Sequence, residues 1–369
     1  MKVAIEYTPA VRQRAGIGRF VRELTAAVLA LGEGCSFTLV LTRDAPLPPL
    51  PARVVRLPLT ERQALVLWHR WRLPLPIDRW LGPVDLFHGT NFLLPPLRRP
   101  RAVVTVHDLS FLLYPQFAEP ALVAFLRAAV PRSLQRAQAI CADSAATKRD
   151  LIQHLGVAAA RITVIPGGVD PRFRPAPPTE LARVRQRYPL DRPFLLALGT
   201  REPRKNLAGL LAAYQLVRHR GATVRLLIAG PPGWREAPFA AALASAPYRE
   251  DVIALGYVPD EDLPALLSAC ACFVYPSFYE GFGLPVGEAL ACGAPVVCSA
   301  TSSLPEVAGE AALLVPPDDP AAIAEAILRV LEDETLAARL RSAGPRQAAT
   351  LRWEDSARAL LALYHQVVA

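Results

Sequence analysis

Two glutamates flank a pair of glycines in the segment 280–288, and these residue types together predict a ligand site. Gly281 and Gly283 allow the backbone to approach a ligand closely, and a helix is predicted directly after them, over Leu284–Cys292. The free N–H groups and the dipole at a helix N-terminus favour a phosphate. Glu280 and Glu288 can each accept a pair of hydroxyl donors, which sugar and ribose rings supply. The segment therefore indicates a phosphorylated, hydroxyl-rich ligand.

Each acid also has a purely structural interpretation. An acidic residue at the start of a helix interacts favourably with the helix dipole, which alone would explain Glu280. Glu288 would then be a solvated side chain. That interpretation explains neither the glycine pair nor the second acid, so the segment as a whole favours the ligand site.

A third signal comes from Lys205. Only three of the 41 basic residues are lysine, so a lysine at this position is not default composition. A compact ammonium suits a diphosphate as a point charge, and Arg204 beside it offers fork contacts. The alternative is a solvated basic turn at a helix start, where cations oppose the dipole unless an anion is present.

The elements that position these residues follow from the apolar spacing. In the first half of the chain, short apolar runs alternate with helical patterns, which predicts a parallel sheet covered on both faces. The predicted strands are Val3–Tyr7, Phe37–Leu41, Leu86–His88, Val103–Val106, Ala139–Ala142 and Ile162–Ile165. The predicted helices include Arg19–Leu31 and Pro120–Gln135.

The pattern breaks at the proline-rich segment Pro171–Pro178, which we interpret as a linker, and a second alternating series follows it. Its strands are predicted at Phe194–Leu198, Val224–Ala229, Val252–Leu255, Cys272–Tyr275 and Pro295–Cys298, and its helices from Asn206 and at Pro259–Ala269, Leu284–Cys292, Pro320–Leu331 and Trp353–Val367. Two open parallel sheets joined by a linker predict a cleft, with ligands beyond the carboxyl ends of the strands.

Six segments, in order, resemble glycosyltransferase family 4, whose members are retaining enzymes of the GT-B fold. The segment 276–297 resembles the E-x7-E motif. The other five matches are Gly199–Asn206 (basic motif), Leu255–Val258 (base-contacting loop), Ile165–Asp170 (with Gly167 where the family has asparagine), Gly16–Arg19 with His88–Asn91, and Val106–Leu109. The last two are similar to the branch that includes mannosyltransferases of surface polysaccharide assembly. The resemblance covers nearly the whole chain.

The resemblance implies an α/β GT-B fold of two Rossmann-like domains whose parallel sheets face a central cleft. Residues 1–175 would form the acceptor domain and residues 190–352 the nucleotide-sugar donor domain. The helix over residues 353–369 would pack back on the N-terminal domain.

The resemblance also implies site residues. Catalytic roles fall to Glu280 and His107, which would contact the transferred sugar, and to Lys205, which would hold the diphosphate. The implied donor-binding residues are Gly16, Gly18, Arg201, Arg204, Lys205, Tyr257, Val258, Glu280, Gly281, Phe282, Gly283, Leu284 and Glu288, and the acceptor residues are Asp108 and His88.

Several of these roles have local alternatives. Thr200 stands where many family members have arginine, so the partner of Lys205 is either Arg201 or Arg204. His107 could be satisfied by local backbone, the loop 16–18 could be a tight turn without a ligand, and Asp108 could be a helix cap.

The implied reaction is retaining transfer of a hexosyl group, with mannose favoured, from a nucleotide diphosphate sugar to a glycan or lipid-linked acceptor. Front-side attack, with a donor phosphate oxygen as base, would need no protein nucleophile. We favour GDP-mannose as co-substrate, no further cofactor and no metal, since Asp318 and Asp319 fit a helix cap better than a metal site. The alternatives are a nucleotide-sugar epimerase or hydrolase on the same fold and a catalytically silent sugar-nucleotide-binding partner.

Charge and composition bear on the partners. Residues 1–180 hold 23 basic and 13 acidic residues, against 18 and 20 in the rest, and we attribute most of this excess to solubility. No nucleic-acid-binding motif is present, so we expect no nucleic-acid partner. Three tryptophans lie among three arginines over residues 65–81, which favours either packing on the core or peripheral contact with an anionic membrane. The first of these is preferred.

We expect a cytoplasmic protein, with a position at the inner membrane face as the alternative. The apolar run at the N-terminus ends at Glu6, so no signal peptide is predicted. No stretch approaches the ~20 apolar residues of a membrane-spanning helix. The six cysteines lack CxxC pairs and lie in apolar surroundings, which is typical of buried thiols in a reducing compartment.

Overall fold

The structure is a computed structural model that describes residues 1–13, 16–32 and 34–369. It forms two compact units. Unit 1 comprises Met1–Leu113, Pro120–Gly168 and Arg352–Ala369, and unit 2 comprises Tyr114–Glu119 and Val169–Leu351. The main division thus falls before the proline-rich segment that the sequence suggests as linker, and the C-terminal segment belongs to unit 1.

Unit 1 is built on a seven-stranded parallel sheet with the strand order β3-β2-β1-β4-β5-β6-β7. The strands are β1 (Lys2–Glu6), β2 (Ser36–Leu41), β3 (Arg53–Arg56), β4 (Leu86–Gly89), β5 (Arg101–Val106), β6 (Ala139–Ala142) and β7 (Ile162–Val164). The sequence pattern misses β3, because an arginine at each end leaves only two apolar residues. The strand order reverses between β1 and β4, which are neighbours.

Helices of unit 1 connect these strands. They are α1 (Thr8–Arg12), α2 (Ile17–Leu31), α3 (Glu61–Ala64), α4 (Asp78–Leu81), α5 (Ser110–Leu113), α6 (Pro120–Arg136) and α7 (Ala145–Leu155). A π-helical turn, Leu65–Arg70, continues α3. Helix α3 begins with a capping box, in which the Thr60 side chain accepts from the Gln63 N–H and the Gln63 side chain accepts in return from the Thr60 N–H.

Unit 2 is built on a six-stranded parallel sheet with the order β10-β9-β8-β11-β12-β13, which reverses between β8 and β11. The strands are β8 (Phe194–Leu198), β9 (Arg225–Ala229), β10 (Val252–Gly256), β11 (Cys272–Tyr275), β12 (Val296–Ser299) and β13 (Ala312–Val315). Strand β13 is not predicted from the sequence, because it is a four-residue apolar run of the kind that periodicity alone does not assign.

The remaining helices are α8 (Pro178–Arg187), α9 (Leu207–His219), α10 (Ala237–Ala244), α11 (Leu263–Ala269), α12 (Leu284–Ala291), α13 (Leu304–Ala308), α14 (Pro320–Glu332), α15 (Glu334–Ala348) and α16 (Trp353–Val368). Helix α11 begins at Leu263 rather than at the predicted Pro259, because a hydrogen bond from the Asp262 N–H to the Pro259 carbonyl closes a turn before it. Helix α16 belongs to unit 1, where its Trp353 ring lies edge-on to Phe20.

Strand β8 shows why the strands read as continuous apolar runs. Phe194 and Leu196 pack into one core of unit 2, whereas Leu195 and Ala197 pack into the other. Alternate side chains point to opposite faces, and helices cover both faces, so every position is apolar. The parallel pairing of β8 with β9 and β11 confirms the predicted parallel sheet. The packed sheet holds the loops at its carboxyl end in fixed positions.

Two further observations concern the chain as a whole. Five of the six cysteines are buried thiols, as predicted, and Cys35 is partly exposed. Across the described ranges, no helix has both the length and the apolar character needed to cross a membrane.

Candidate active site

The predicted site residues of unit 2 follow two neighbouring strands. The segment 199–206 follows β8, and the segment 276–283 follows β11. Because β8 and β11 lie side by side where the strand order reverses, their carboxyl ends bring the two loops together. In open parallel sheets this reversal point is the usual place for a ligand.

Two cations share the carboxylate of Glu280. Lys205 Nζ lies 2.7 Å from Glu280 Oε1, and Arg204 Nη1 lies 2.9 Å from Glu280 Oε2. The Glu280 side chain is only 9% exposed, so these ion pairs lie in a largely desolvated setting. The structure therefore joins the basic motif and the first acid of the E-x7-E motif in a single cluster.

The two cations fix the ionisation of the carboxylate. Burial by itself raises the pKa of Glu280, but Arg204 and Lys205 outweigh it and lower that pKa to about 2. The pKa of Lys205 is lowered by its own burial, against the opposing effect of Glu280. Glu280 is consequently an ionised hydrogen-bond acceptor at neutral pH, and it cannot act as a general acid there.

Glu202 and Tyr275 complete the cluster, and neither residue is predicted from the sequence as part of the site. Glu202 is buried and lies 2.5 Å from Arg204 Nη2, while Lys205 Nζ donates to the Tyr275 hydroxyl at 2.6 Å. Glu202 lies within the basic motif, where an acid among cations is a readable signal. Tyr275 gives no such signal, because a tyrosine at the end of an apolar strand reads as core.

The local backbone explains the glycines that open and close the two loops. Gly199 has a φ of +140°, and a Cβ there would lie 3.3 Å from the Lys205 side chain. Gly283 has a φ of +103°, and a Cβ there would lie 2.5 Å from the Leu304 side chain. Both positions favour glycine for conformational and steric reasons, so each glycine has a structural explanation besides ligand access.

A polar segment after β12 holds the Glu280 loop from behind. Ser302 accepts a hydrogen bond from the Glu280 N–H at 2.9 Å, and Ser303 donates to the carbonyls of Glu280 and Phe282 at 3.0 and 2.7 Å. Thr301 donates to the Phe278 carbonyl at 3.1 Å. These three side chains, which the sequence analysis does not single out, fix the backbone on either side of the carboxylate.

The two candidate partners of Lys205 have different positions. Arg204 shares Glu280 with it and donates to the Tyr279 carbonyl at 2.7 Å. Arg201 is ion-paired with Glu236 at 2.6 Å. The structure thus places Arg204, rather than Arg201, in the Lys205 cluster.

The other donor-site residues of unit 2 differ in exposure. Glu288 is 2% exposed within α12, so the solvated alternative for this acid is wrong. Phe282 and Val258 are buried in the core of unit 2, whereas the Tyr257 side chain is largely exposed. Leu284 begins α12 directly after Gly283, and the role predicted for Gly281 rests on its place in the same loop.

His107 is fully hydrogen-bonded inside unit 1. Its Nδ1 lies 2.8 Å from Asp143 Oδ2, and its Nε2 lies 2.8 Å from the Thr90 carbonyl. Burial alone would lower the pKa of His107, but Asp143 and the Thr90 carbonyl raise it above its ordinary value. The carboxyl group of Asp143 and the Thr90 carbonyl thus occupy both ring nitrogens, so His107 has local partners, and its contact with the transferred sugar stays a prediction.

The predicted acceptor residues also have local partners. His88 bonds the Tyr364 hydroxyl at 2.6 Å and the Thr105 hydroxyl at 2.8 Å, and burial lowers its pKa to about 3. Asp108 lies two residues before Ser110, the first residue of α5, and accepts from the Ser110 N–H at 2.9 Å. Their roles toward an acceptor stay predictions.

The glycine loop of unit 1 has a structural explanation as well. Gly16 has a φ of +56° at the start of α2, and a Cβ at Gly18 would lie 2.0 Å from the Gln13 carbonyl oxygen. Gly16 is therefore favoured by its positive φ and Gly18 by the lack of space for a Cβ, whether or not the loop also approaches a donor.

The comparisons with known proteins agree with this arrangement. The family model described as "Glycosyl transferases group 1" matches residues 179–347, and the one described as "Glycosyltransferase Family 4" matches residues 14–173. O-antigen chain mannosyltransferase B of Escherichia coli is 39% identical over 272 residues, which are 73% of this chain and 71% of that protein. The chain belongs to the group 1 glycosyltransferases, also called glycosyltransferase family 4.

Two other similarities define how far the likeness extends. The serotype-specific mannosyltransferase WbdA of Escherichia coli is 32% identical over 229 residues, which cover 60% of this chain but only 28% of WbdA. Sucrose-phosphate synthase from Thermosynechococcus elongatus superimposes with a TM-score of 0.81 at 24% identity, over 100% of this chain and 99% of that one. The structural likeness confirms the GT-B fold that the sequence motifs imply.

Asp319, outside the Lys205 cluster, has the structural role predicted from the sequence. Asp319 caps α14 by accepting from the N–H groups of Ala321 and Ala322 at 2.9 and 3.0 Å, as predicted. Among the described residues, no group of three or more His, Cys, Asp or Glu side chains could hold a metal ion.

Proposed function

We propose that this glycosyltransferase moves a hexosyl group, with mannose favoured, from a nucleotide diphosphate sugar to a glycan or lipid-linked acceptor, with retention of configuration. The observation that carries the proposal is the cluster of Lys205 and Arg204 on the Glu280 carboxylate at the reversal point of the unit 2 sheet. Two cations supply the charge that a diphosphate needs, and the carboxylate supplies the acceptor that sugar hydroxyls need.

The chemistry proposed for this cluster is electrostatic. Negative charge accumulates on the diphosphate as the glycosidic bond breaks, and Lys205, Arg204 and the N-terminus of α12 would stabilise it. Glu280, with its pKa near 2, would stay ionised and accept hydroxyls of the transferred sugar. A donor phosphate oxygen would remove the acceptor proton, and the side-chain cations would replace a metal ion.

Mannose is favoured by the relatives. The first relative is named as a mannosyltransferase of an O-antigen chain, and the second is also named as a mannosyltransferase. GDP-mannose is the corresponding donor in the proposal. Transfer to surface polysaccharide is inferred from the same names.

Peripheral contact with an anionic membrane is the second part of the proposal. Trp68 and Trp80 pack together with ring centroids 6.5 Å apart, which fits the preferred core interpretation for those two. Trp71 is 64% exposed, and Leu73 is 41% exposed, beside the exposed Arg70 and Arg72. Vesicles of phosphatidylglycerol, but not of phosphatidylcholine, should co-sediment the protein, and Trp71→Ser should weaken this binding.

The transferase proposal is tested by incubating the protein with GDP-mannose and an α-linked mannobiose in EDTA. GDP should be released only when the acceptor is present, and NMR should show an α-linked product. Lys205→Ala should lower kcat/KM by about 100-fold, as loss of one preorganised charge does. The matched control is Arg220→Ala, which removes an exposed cation of unit 2 that pairs with Glu325.

Three results would contradict parts of this proposal. Release of GDP at the same rate without acceptor would favour a hydrolase. A β-linked product would exclude retention, and loss of activity in EDTA would exclude metal independence. Equal activity of Lys205→Ala and Arg220→Ala would remove the role given to the cluster.

A further inference from the structure

Unit 1 contains a cavity of about 100 Å³ next to the point where its own strand order reverses. Glu6 at the end of β1, Thr42 after β2 and Asn91 after β4 contribute to its lining. The volume is several times the ~10–15 Å³ that a single water molecule requires. Because ligands of open parallel sheets bind beside such reversal points, the cavity has both the place and the size of a ligand site.

Two lining residues have hydrogen-bonding capacity that the described residues do not satisfy. The buried Oδ1 of Asn91 has no hydrogen-bond partner within the described ranges. The carboxylate of Glu6 has no ion pair among the described residues. It accepts a long hydrogen bond of 3.4 Å from the Thr90 hydroxyl and one from the Thr90 backbone N–H, which leaves acceptor capacity on its two oxygens. Such buried groups need a hydrogen-bond partner, which water supplies in the free protein and which the hydroxyl donors of a ligand would replace.

The charge of the lining excludes an anionic ligand. None of the described residues that line the cavity is lysine or arginine. His69 is a neutral ring at pH 7, because burial and the nearby Arg136 and Arg132 lower its pKa to about 4. A phosphate or carboxylate would find no cation among these described lining residues.

The same lining holds too little negative charge to select a cation. Glu61 is already ion-paired with Arg12 at 3.2 Å. Burial and the neighbouring Glu61 raise the pKa of Glu6 to about 7, so its carboxyl is half protonated at neutral pH. The ligand that fits is therefore uncharged and brings hydroxyl donors to the unused oxygens.

Trp68 adds an apolar surface to this polar lining. Its Nε1 donates to the Leu75 carbonyl at 3.0 Å, which fixes the ring. A fixed aromatic face beside hydrogen-bond acceptors suits a ring that is apolar on one side and carries hydroxyls at its rim.

We propose that this cavity binds an uncharged sugar unit of the acceptor, with Asn91 and Glu6 accepting hydrogen bonds from its hydroxyls and Trp68 packing against its ring. The inference rests on the proposed function, since it assigns the cavity to the acceptor of the same reaction. It adds that the acceptor is recognised through a neutral sugar rather than through a phosphate of a lipid carrier.

The test is a titration of the full-length protein with methyl α-mannoside and α-linked mannobiose, followed by ligand-observed NMR. Asn91→Leu keeps the side-chain size and removes the oxygen, and Glu6→Ala removes the carboxyl. Each should weaken mannobiose binding by about tenfold, because a site built for hydroxyls loses a partner. GDP binding, measured in parallel, should change less than about twofold. Glu354→Ala on α16 is the matched control in unit 1.

Every outcome bears on the proposal. Absence of mannobiose binding at about 50 mM, or equal binding by wild type and both variants, would overturn it. Tighter binding of mannose 6-phosphate or glucosamine than of methyl mannoside would overturn the uncharged class. If the circular dichroism spectrum shows that Asn91→Leu does not fold, the mannobiose affinity of Glu6→Ala decides the test. If the wild-type protein does not bind GDP, but binds mannobiose more tightly than both variants do, the proposed function is overturned and the sugar site is supported.

Discussion

Two glutamates at the carboxyl ends of strands, Glu280 after β11 and Glu6 as the last residue of β1, have opposite electrostatic environments. Glu280 is held ionised by Arg204 and Lys205, with a pKa of about 2. Glu6 has no cation paired with it among the described residues, and burial and Glu61 raise its pKa to about 7. Strongly shifted carboxyl groups are concentrated at functional sites, and both of these lie at the carboxyl end of a strand beside a reversal point.

The raised pKa of Glu6 predicts a pH-dependent stability. Between pH 4.5 and 7 the unfolded chain has lost the Glu6 proton while the folded chain keeps it, so the free energy of unfolding falls as the pH rises. Glu6→Gln removes this effect. The variant should gain about 2–3 kcal/mol over wild type on going from pH 5 to pH 8, measured by urea unfolding.

The control for this measurement is Glu354→Gln, whose carboxyl is 55% exposed. Its stability should follow that of wild type at both values of pH. A parallel pH profile for Glu6→Gln and wild type would show that the Glu6 carboxyl is ionised in the folded chain at pH 5.

At the scale of elements, the Glu280 loop is fixed from two sides. Lys205 and Arg204 hold its carboxylate, while Ser302 and Ser303 hold its backbone. The loop then enters α12 through Gly283, where a positive φ and the Leu304 side chain leave no room for a Cβ. The geometry of the site thus depends on three loops that follow β8, β11 and β12.

Gly283→Ala adds only one methyl group, but it should disturb the donor site strongly. We expect a loss of about 1–3 kcal/mol in the free energy of unfolding, from strain at positive φ and from the contact with Leu304. GDP binding, measured by calorimetry, should weaken in parallel. Gly221→Ala is the matched control, since Gly221 also has a positive φ but open space around its Cβ position.

The double variant Gly283→Ala/Leu304→Ala separates the two causes. Removal of the Leu304 methyl groups relieves the clash but not the backbone strain, so it should restore part of the GDP affinity. No difference between the single and double variants would leave backbone strain as the whole effect.

At the scale of the whole molecule, the end of the chain completes unit 1. Trp353 packs on Phe20, and Tyr364 hydrogen-bonds His88 on β4. Leu360 and Leu361 on the same helix are also buried. The last helix is consequently part of the unit 1 core, although it follows the whole of unit 2 in sequence.

Truncation after Leu351 should destabilise unit 1 selectively. Loss of α16 exposes buried apolar side chains of unit 1, each worth about 1.5–3 kcal/mol of burial. Hydrogen exchange read by mass spectrometry should show lost protection in β1 and β4, with β8 and β11 still protected. Equal protection of β1 and β4 in the truncated and full-length chains would contradict this role. Arg358→Ala, an exposed change within α16, is the control.

The sequence by itself determined the alternation of strands and helices and the main chemistry of the site. These follow from local patterns: apolar runs, glycine turns, and acids and cations at fixed spacing. The pattern also predicted the capping role of Asp319, because a cap involves only neighbouring residues.

Only the tertiary structure decided which side chains meet. The choice of Arg204 over Arg201 depends on β8 and β11 being neighbours in the sheet. So does the contact of Lys205 with Tyr275, which are 70 residues apart in sequence. The cavity that Glu6 and Asn91 line likewise exists only because β1 and β4 pair. Strand order is set by how the whole sheet buries its two faces, and no local pattern contains that information.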